Sequence, residues 1–267
     1  MAQYMMGFLG AGNMGGALAV AACKGVGPAQ VILADPLRGA SLAAELECAH
    51  ADAKRVAAQA QYIFLGVKPQ MMQALLDEIA PVLSARSDRF VLVSMAAGLS
   101  MEKLSTMLGG RFPMIRIMPN TAAAVGAGMI LYDCSDLATP EDATRFVEAM
   151  AQAGRFDRLA EHLIDAGSCV SGCGPAFVDL FMEALADGGV ACGLPRDKAL
   201  LYAEQMVLGA AKLALESGEH PGRLKDMVCS PGGSTIQGVR VLEKGGMRSA
   251  LIEAVAAAYE KTLELGK

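Results

Sequence analysis

Along the first part of the chain, short apolar runs stand between stretches with helical spacing. The runs are Tyr4 to Leu9, Val31 to Ala34, Tyr62 to Val67, Phe90 to Met95 and Met114 to Met118. Several lack the strict in-and-out alternation of a half-exposed strand, which is how a strand reads when helices cover both of its faces. The pattern from Tyr4 to about Leu159 therefore predicts a mostly parallel, doubly wound sheet of the α/β class. After Glu161 helical spacing dominates to the end, broken at Gly193-Leu194-Pro195, Ser217-Gly218, Pro231-Gly232-Gly233 and Gly245-Gly246. The second half reads as an all-helical domain, so the expected division is 1–160 and 161–267.

Several of those helices are apolar on more than one face, as in Ala184 to Ala191, Leu200 to Leu215 and Ala250 to Ala258. A small monomer cannot hide that much apolar helix surface, so part of it is expected to lie against a second copy of the chain. The run from Leu163 to Ala186 is long and lightly charged. It holds Asp165, Asp179 and Glu183, with Gly172, Gly174 and Pro175 in the middle, and is expected to be a buried or interface helix rather than a membrane span.

Composition narrows the class. With 267 residues, 53% of them hydrophobic, the chain can bury a sizeable core in one large domain or two. Charged residues make up 19% and the net charge is -5, which leaves no broad basic surface for nucleic acid or an anionic membrane. Cys23, Cys48, Cys134, Cys169, Cys173, Cys192 and Cys229 form no C-x-x-C pair, and the histidines beside them are His50, His162 and His220. That set argues against a disulfide framework and a metal site, and for reduced thiols in the cytoplasm. The opening Met1-Ala2-Gln3-Tyr4 carries no basic segment, so no secretion signal is expected.

Directly after the first predicted strand stands Gly10-Ala11-Gly12-Asn13-Met14-Gly15, followed by the helical run Gly16 to Lys24. In a dinucleotide-binding turn the first glycine permits a tight bend and the second lets the backbone approach a pyrophosphate. The third lets helix and strand pack closely, and the diphosphate sits on the free N–H groups of the helix start. The expected contacts begin at Leu9 and run through Gly10, Ala11, Gly12, Asn13, Met14 and Gly15.

Asp35 closes the second strand about 20 residues further on, where an acidic side chain accepts hydrogen bonds from the adenine ribose. The alternative is an Asp-Pro turn, Asp35-Pro36, ahead of the next helix. An aspartate here selects NAD against the 2′-phosphate of NADP, yet Arg38 stands close enough in sequence to pair with that phosphate, so NADH and NADPH both stay open. Two further strand ends, Gly66-Val67-Lys68-Pro69 and Met95-Ala96-Ala97-Gly98, face the same crevice. The small residues let a cofactor lie against the backbone. Lys68 offers a cation to a phosphate, a ribose or a substrate carboxylate, or else is an exposed lysine ahead of a helix that starts with Pro69.

In the helical half, Ser230-Pro231-Gly232-Gly233-Ser234-Thr235 joins two predicted helices, the second beginning near Gly233 or Ser234. Its first N–H groups, with the hydroxyls of Ser230 and Thr235, make a carboxylate site. The competing possibility is a plain helix cap with Ser234 as the capping residue.

On this turn the chain resembles the pyrroline-5-carboxylate reductase family, whose C-terminal signature is a hydroxyl residue, Pro-Gly-Gly, and Thr two residues on. Other family blocks recur in order: the N-terminal glycine turn, Val67-Lys68-Pro69-Gln70, Ser94-Met95-Ala96-Ala97-Gly98, Arg116-Ile117-Met118-Pro119-Asn120-Thr121, Ser171-Gly172-Cys173-Gly174-Pro175 and Ala186-Asp187-Gly188-Gly189. The chain departs at Cys173, where the family usually has Ser, and at Ala122, where it usually has Pro. The residues around Asp35 also differ from the Ser- or Arg-containing turns often seen in NADPH-preferring members, which leaves the coenzyme preference open. The resemblance implies an N-terminal doubly wound Rossmann-type sheet followed by an all-helical dimerisation domain. It further implies a homodimer with interleaved helices and an active site where the two domains meet, with larger rings of dimers in some members. NADPH or NADH would serve as cofactor, NADPH being the one the resemblance favours while Asp35 leaves the preference open, and the reaction would be reduction of the cyclic imine 1-pyrroline-5-carboxylate to L-proline, the final step of proline biosynthesis.

Hydride addition to a C=N bond is helped when the nitrogen is protonated or hydrogen-bonded as electrons arrive. Thr235 is accordingly assigned to the ring nitrogen, and Ser230 with the N–H groups of Gly233, Ser234 and Thr235 to the substrate carboxylate. Asn120 and Met118-Pro119 are assigned to the border of the nicotinamide. Two rivals are weaker. The β-hydroxyacid dehydrogenases share the layout, but their Lys-x-x-x-Asn helix motif is not found after Gly172. A cofactor-binding sensor without turnover would have no use for the intact Ser230 to Thr235 turn.

Overall fold

The computed structural model describes residues 2–265, so the outermost residues of the two expected domains, 1 and 266–267, lie outside it. The chain opens with β1 (Tyr4–Leu9), α1 (Asn13–Val26), β2 (Val31–Ala34), α2 (Gly39–Leu46), β3 (Ala49–His50), α3 (Ala53–Gln59), β4 (Ala60–Leu65) and α4 (Pro69–Ser84). It continues through β5 (Val91–Ser94), α5 (Met101–Met107), β6 (Met114–Met118), β7 (Gly128–Cys134), α6 (Pro140–Ala149), β8 (Gly154–Arg158) and α7 (Glu161–Ser171). The remaining elements are helices: α8 (Gly174–Ala191), α9 (Arg196–Ser217), α10 (Pro221–Met227), α11 (Ser234–Lys244) and α12 (Met247–Leu265).

The strands form one 8-stranded sheet in the order β3-β2-β1-β4-β5-β6-β7-β8. All neighbours pair parallel except β6 and β7. The first six strands follow the doubly wound dinucleotide-binding order, and the chain reverses direction across the sheet between β1 and β4. Alternate residues of each strand feed two separate cores. Met6, Phe8, Tyr62, Phe64, Val91 and Val93 pack with α1 and α6 residues such as Leu18 and Phe146. Leu9, Ile63, Leu65 and Leu92 pack with Val56, Met72 and Leu76 of α3 and α4. Burial on both faces is why these strands read as unbroken apolar runs. Phe8 and Phe64 stack across β1 and β4 with ring centroids 4.2 Å apart.

Three strands were not visible as apolar runs. β3 has two residues, β7 reads Gly-Met-Ile-Leu-Tyr-Asp-Cys with a polar end, and β8 is the charged edge strand Gly-Arg-Phe-Asp-Arg. An edge strand needs one protected face at most, so its sequence carries charge.

The chain separates into two compact units, Met1–Cys173 with Ala258–Lys267, and Gly174–Ala257. The helix expected to open the second domain, α7, packs within the first unit. Ile164 contacts Met118 and Leu131, and a Cβ on Gly167 would come 2.5 Å from Leu131 Cδ1, so the helix lies on β7 at a distance only glycine allows. Arg116 of β6, 3% exposed, holds Asp165 of α7 at 2.6 Å and Glu161 at 3.5 Å. A buried guanidinium left alone would cost far more than its pairs return, so these contacts fix the helix in place.

The second unit is entirely helical, and among its described residues only Ala186, Ala199 and Ala203 are buried. Leu180, Leu208, Leu215 and Ile252 are each more than 60% exposed. The helical stretch Glu161–Ala191 is long and apolar enough to cross a membrane by length and composition, and little of it is buried. It carries Asp165, paired to Arg116, together with Asp179 and Glu183.

Candidate active site

The glycine turn answers each requirement read from its sequence. Gly10 takes φ +108°, and a Cβ there would come within 2.7 Å of the Gly66 backbone. The loops after β1 and β4 therefore touch where the sheet reverses, joined by a hydrogen bond from Gly66 N–H to the Leu9 carbonyl at 2.8 Å. Gly15 packs so tightly that a Cβ would overlap the Gly10 carbonyl oxygen. Gly12 is the opposite case, since a Cβ there meets nothing within 4 Å. That space, beside the N-terminus of α1, is the cradle a diphosphate needs, and Gly12 as N-cap brings no side chain to occupy the first N–H groups. The residues present fit a dinucleotide.

The other positions expected on the cofactor side lie at the ends of β1, β4 and β5. Leu9 closes β1, Ala11 is buried, and Asn13 and Met14 open α1. Lys68 is the exposed N-cap of α4, with Pro69 at its first turn, while Gly66 and Val67 connect it to β4. After β5, Met95 and Ala97 flank Ala96, which is 3% exposed and whose N–H lies 3.4 Å from the Ser94 hydroxyl.

Asp35 follows β2 and holds together the turn behind it and the start of the glycine turn. Its Oδ2 accepts from Ala11 N–H at 2.8 Å, and its Oδ1 accepts from Leu37 and Arg38 N–H, each at 2.8 Å. Burial pushes its carboxyl up, but the N–H donors of Ala11, Arg38 and Leu37 and the nearby Arg38 charge outweigh it and hold it below the usual carboxylate range.

Asn120, expected at the border of the nicotinamide, has its side chain taken up by the fold. Its amide donates to the Ser171 carbonyl at 2.9 Å, and its oxygen accepts from Met129 N–H at 3.1 Å. It ties the end of β6 to β7 and to the last turn of α7. With the Arg116 pairs it forms a set of supports that no local pattern announces, because the partners lie far apart in sequence.

In the helical unit, Ser230 to Gly233 is a type II turn. Gly233 N–H donates to the Ser230 carbonyl at 3.0 Å, Pro231 sits second, and Gly232 sits third at φ +73°. This corrects two expectations. The Gly233 N–H is engaged inside the turn and is not free for a carboxylate. Ser234 is the first helical residue of α11, and the N-cap is Gly233, which has no side-chain cap bond. Gly233 matters for what it lacks, since a Cβ there would come 2.6 Å from Ser230 Oγ. Ser230, Ser234 and Thr235 are exposed within this single chain.

Residues 161–265 match the family model described as pyrroline-5-carboxylate reductase dimerisation. Residues 5–98 match the one described as NADP oxidoreductase, coenzyme F420-dependent. The chain is 43% identical over 267 residues to the pyrroline-5-carboxylate reductase of Escherichia coli (strain K12), covering 98% of each. It is 42% identical over 268 residues to that of Pisum sativum, covering 98% of this chain and 96% of the relative. Among solved structures it is similar to a Plasmodium falciparum pyrroline carboxylate reductase with NADP bound, at 30% identity, a TM-score of 0.89 and full coverage of both chains. Likeness of this extent, over a chain whose glycine turn and hydroxyl-bearing turn are both intact, decides the question: the chain belongs to the pyrroline-5-carboxylate reductase family of NAD(P)H-dependent oxidoreductases.

Proposed function

We propose that the chain reduces 1-pyrroline-5-carboxylate to L-proline in the cytoplasm, as the last step of proline biosynthesis. The observation that carries this reading is the Ser230 to Thr235 turn, a substrate-sized set of donors in a chain matched end to end by named reductases. The nicotinamide cofactor, NADPH or NADH, supplies the hydride when bound. The Leu9 to Gly15 turn, the small strand ends at Gly66 and at Met95 to Ala97, and Asp35 would hold and orient that cofactor, with Lys68 as a cation for phosphate or carboxylate. Asn120 and the Met118-Pro119 loop would border the nicotinamide.

On the substrate side, the Thr235 hydroxyl donates a hydrogen bond to the ring nitrogen, where electron density grows as the C=N bond is reduced, and keeps its proton. Ser230 and the N–H groups of Ser234 and Thr235, at a helix start with partial positive charge, hold the carboxylate. We propose 1–160 as the cofactor-binding part and 161–267 as the substrate and dimerisation part. Hydride transfer requires that both be brought to one substrate. The test is cofactor absorbance followed with pyrroline-5-carboxylate and, separately, with piperideine-6-carboxylate. Consumption that depends on the five-membered imine is expected, and cofactor binding without consumption would leave the sensor reading standing.

The helical region is a dimerisation domain of its family, and the chain self-associates and takes a small-molecule substrate. We propose a homodimer as the basic assembly, closed further into a ring of dimers where the apolar helix faces extend beyond the dimer contact. Sedimentation at micromolar concentration is expected to return a species of two chains or a multiple of two. A monomer would contradict both the assembly and a shared site.

A further inference from the structure

Given the reductase function proposed above, the way Asp35 is held bears on the choice between NADH and NADPH. A carboxylate accepts about four hydrogen bonds. Three of those positions are filled by backbone donors, two on Oδ1 and one on Oδ2, leaving one acceptor position on Oδ2 beside the glycine turn. The donors come from two segments, Ala11 on one side and Leu37 with Arg38 on the other, so the group cannot turn aside for a bulkier ligand. A ribose 2′-hydroxyl brings a proton that suits the free position. A 2′-phosphate brings negative charge and no such proton, and meets a carboxylate that stays ionised and fixed.

The opposing influence is Arg38. Its side chain is exposed, and its guanidinium makes no hydrogen bond or ion pair among the described residues. A cation on a free stem must be ordered to pair with a phosphate, and water and salt screen it more than they screen the half-buried Asp35. We infer that Asp35 is the specificity-determining residue for the cofactor and makes NADH the preferred donor of this chain, with Arg38 giving a residual, salt-sensitive use of NADPH.

The test is direct fluorescence titration of the purified full-length assembly with NADH and with NADPH, followed by kcat/KM for each with pyrroline-5-carboxylate. NADH is expected to bind at least about tenfold more tightly, near the low end of what a like charge about 4 Å away produces between water and a protein surface. Asp35→Asn, which keeps the shape and removes the charge, is expected to shrink that ratio chiefly by tightening NADPH. A purely structural role for Asp35 predicts that both cofactors weaken together at an unchanged ratio. That result, or a wild-type preference for NADPH, overturns the inference. If Asp35→Asn does not fold, the wild-type ratio alone decides. Because binding is read separately, a chain that prefers NADH but turns over no imine would sink the proposed reaction and leave the cofactor assignment intact.

Discussion

Thr235→Val is expected to lower turnover of pyrroline-5-carboxylate roughly 10²- to 10³-fold, the loss of about 2.7–4 kcal/mol typical when one donor acting in the transition state is removed. Valine keeps the β-branched shape and deletes only the hydroxyl. The structure makes the result easier to interpret than the sequence did, because the cap of α11 is Gly233 and neither Ser234 nor Thr235 supplies a capping bond. The expected stability change is therefore well under the ~1 kcal/mol of a lost cap, and cofactor affinity is expected to stay near the wild-type value. Turnover, cofactor titration and melting temperature measured on Thr235→Val beside Ser234→Ala separate the roles. Early melting with normal turnover in Thr235→Val would make Thr235 a structural residue and remove the assigned donor.

Gly12→Val is expected to weaken NADH and NADPH alike by more than about 100-fold, some 2.7 kcal/mol, while the helical content stays as in the wild type. The new side chain enters space where no protein atom lies within 4 Å, so the fold has little to resist. The diphosphate has nowhere else to meet the first N–H groups of α1. Gly15 makes the informative contrast. Even Gly15→Ala drives a methyl into the Gly10 carbonyl, so it is expected to disturb the turn itself and to lower the melting temperature along with affinity. Unchanged affinity in a folded Gly12→Val protein would remove the dinucleotide site from this turn.

What the sequence disclosed depended on how local each feature is. The strands buried on both faces showed themselves as apolar runs, and Gly10, Gly12 and Gly15 stand at spacings that answer to one physical need each. β8 shows no apolar run because it is an edge strand, where polar and charged residues are tolerated, and β7 because it begins with glycine and ends Tyr-Asp-Cys. The pattern of α7 groups it with the later helices, and the dimerisation family model also begins at residue 161. The attachment of α7 to the sheet depends on Gly167 meeting Leu131 and on Arg116 meeting Asp165, pairs separated widely along the chain. Asn120 was legible as part of a family block, but not as a support whose amide is already engaged. The Pro231-Gly232 pair forecast a turn, yet the engagement of the Gly233 N–H needed coordinates.

The helical unit described above has few interior residues of its own, and they are alanines. Alanine contributes little transfer free energy on burial, so the larger apolar groups of those helices stabilise the native state only when a second chain covers them. Folding and assembly of that half then share one equilibrium, and mass action enters the stability of the enzyme. Dilution is then expected to act on this protein as a denaturant does on a monomer, its free energy of unfolding being a function of how many copies are present.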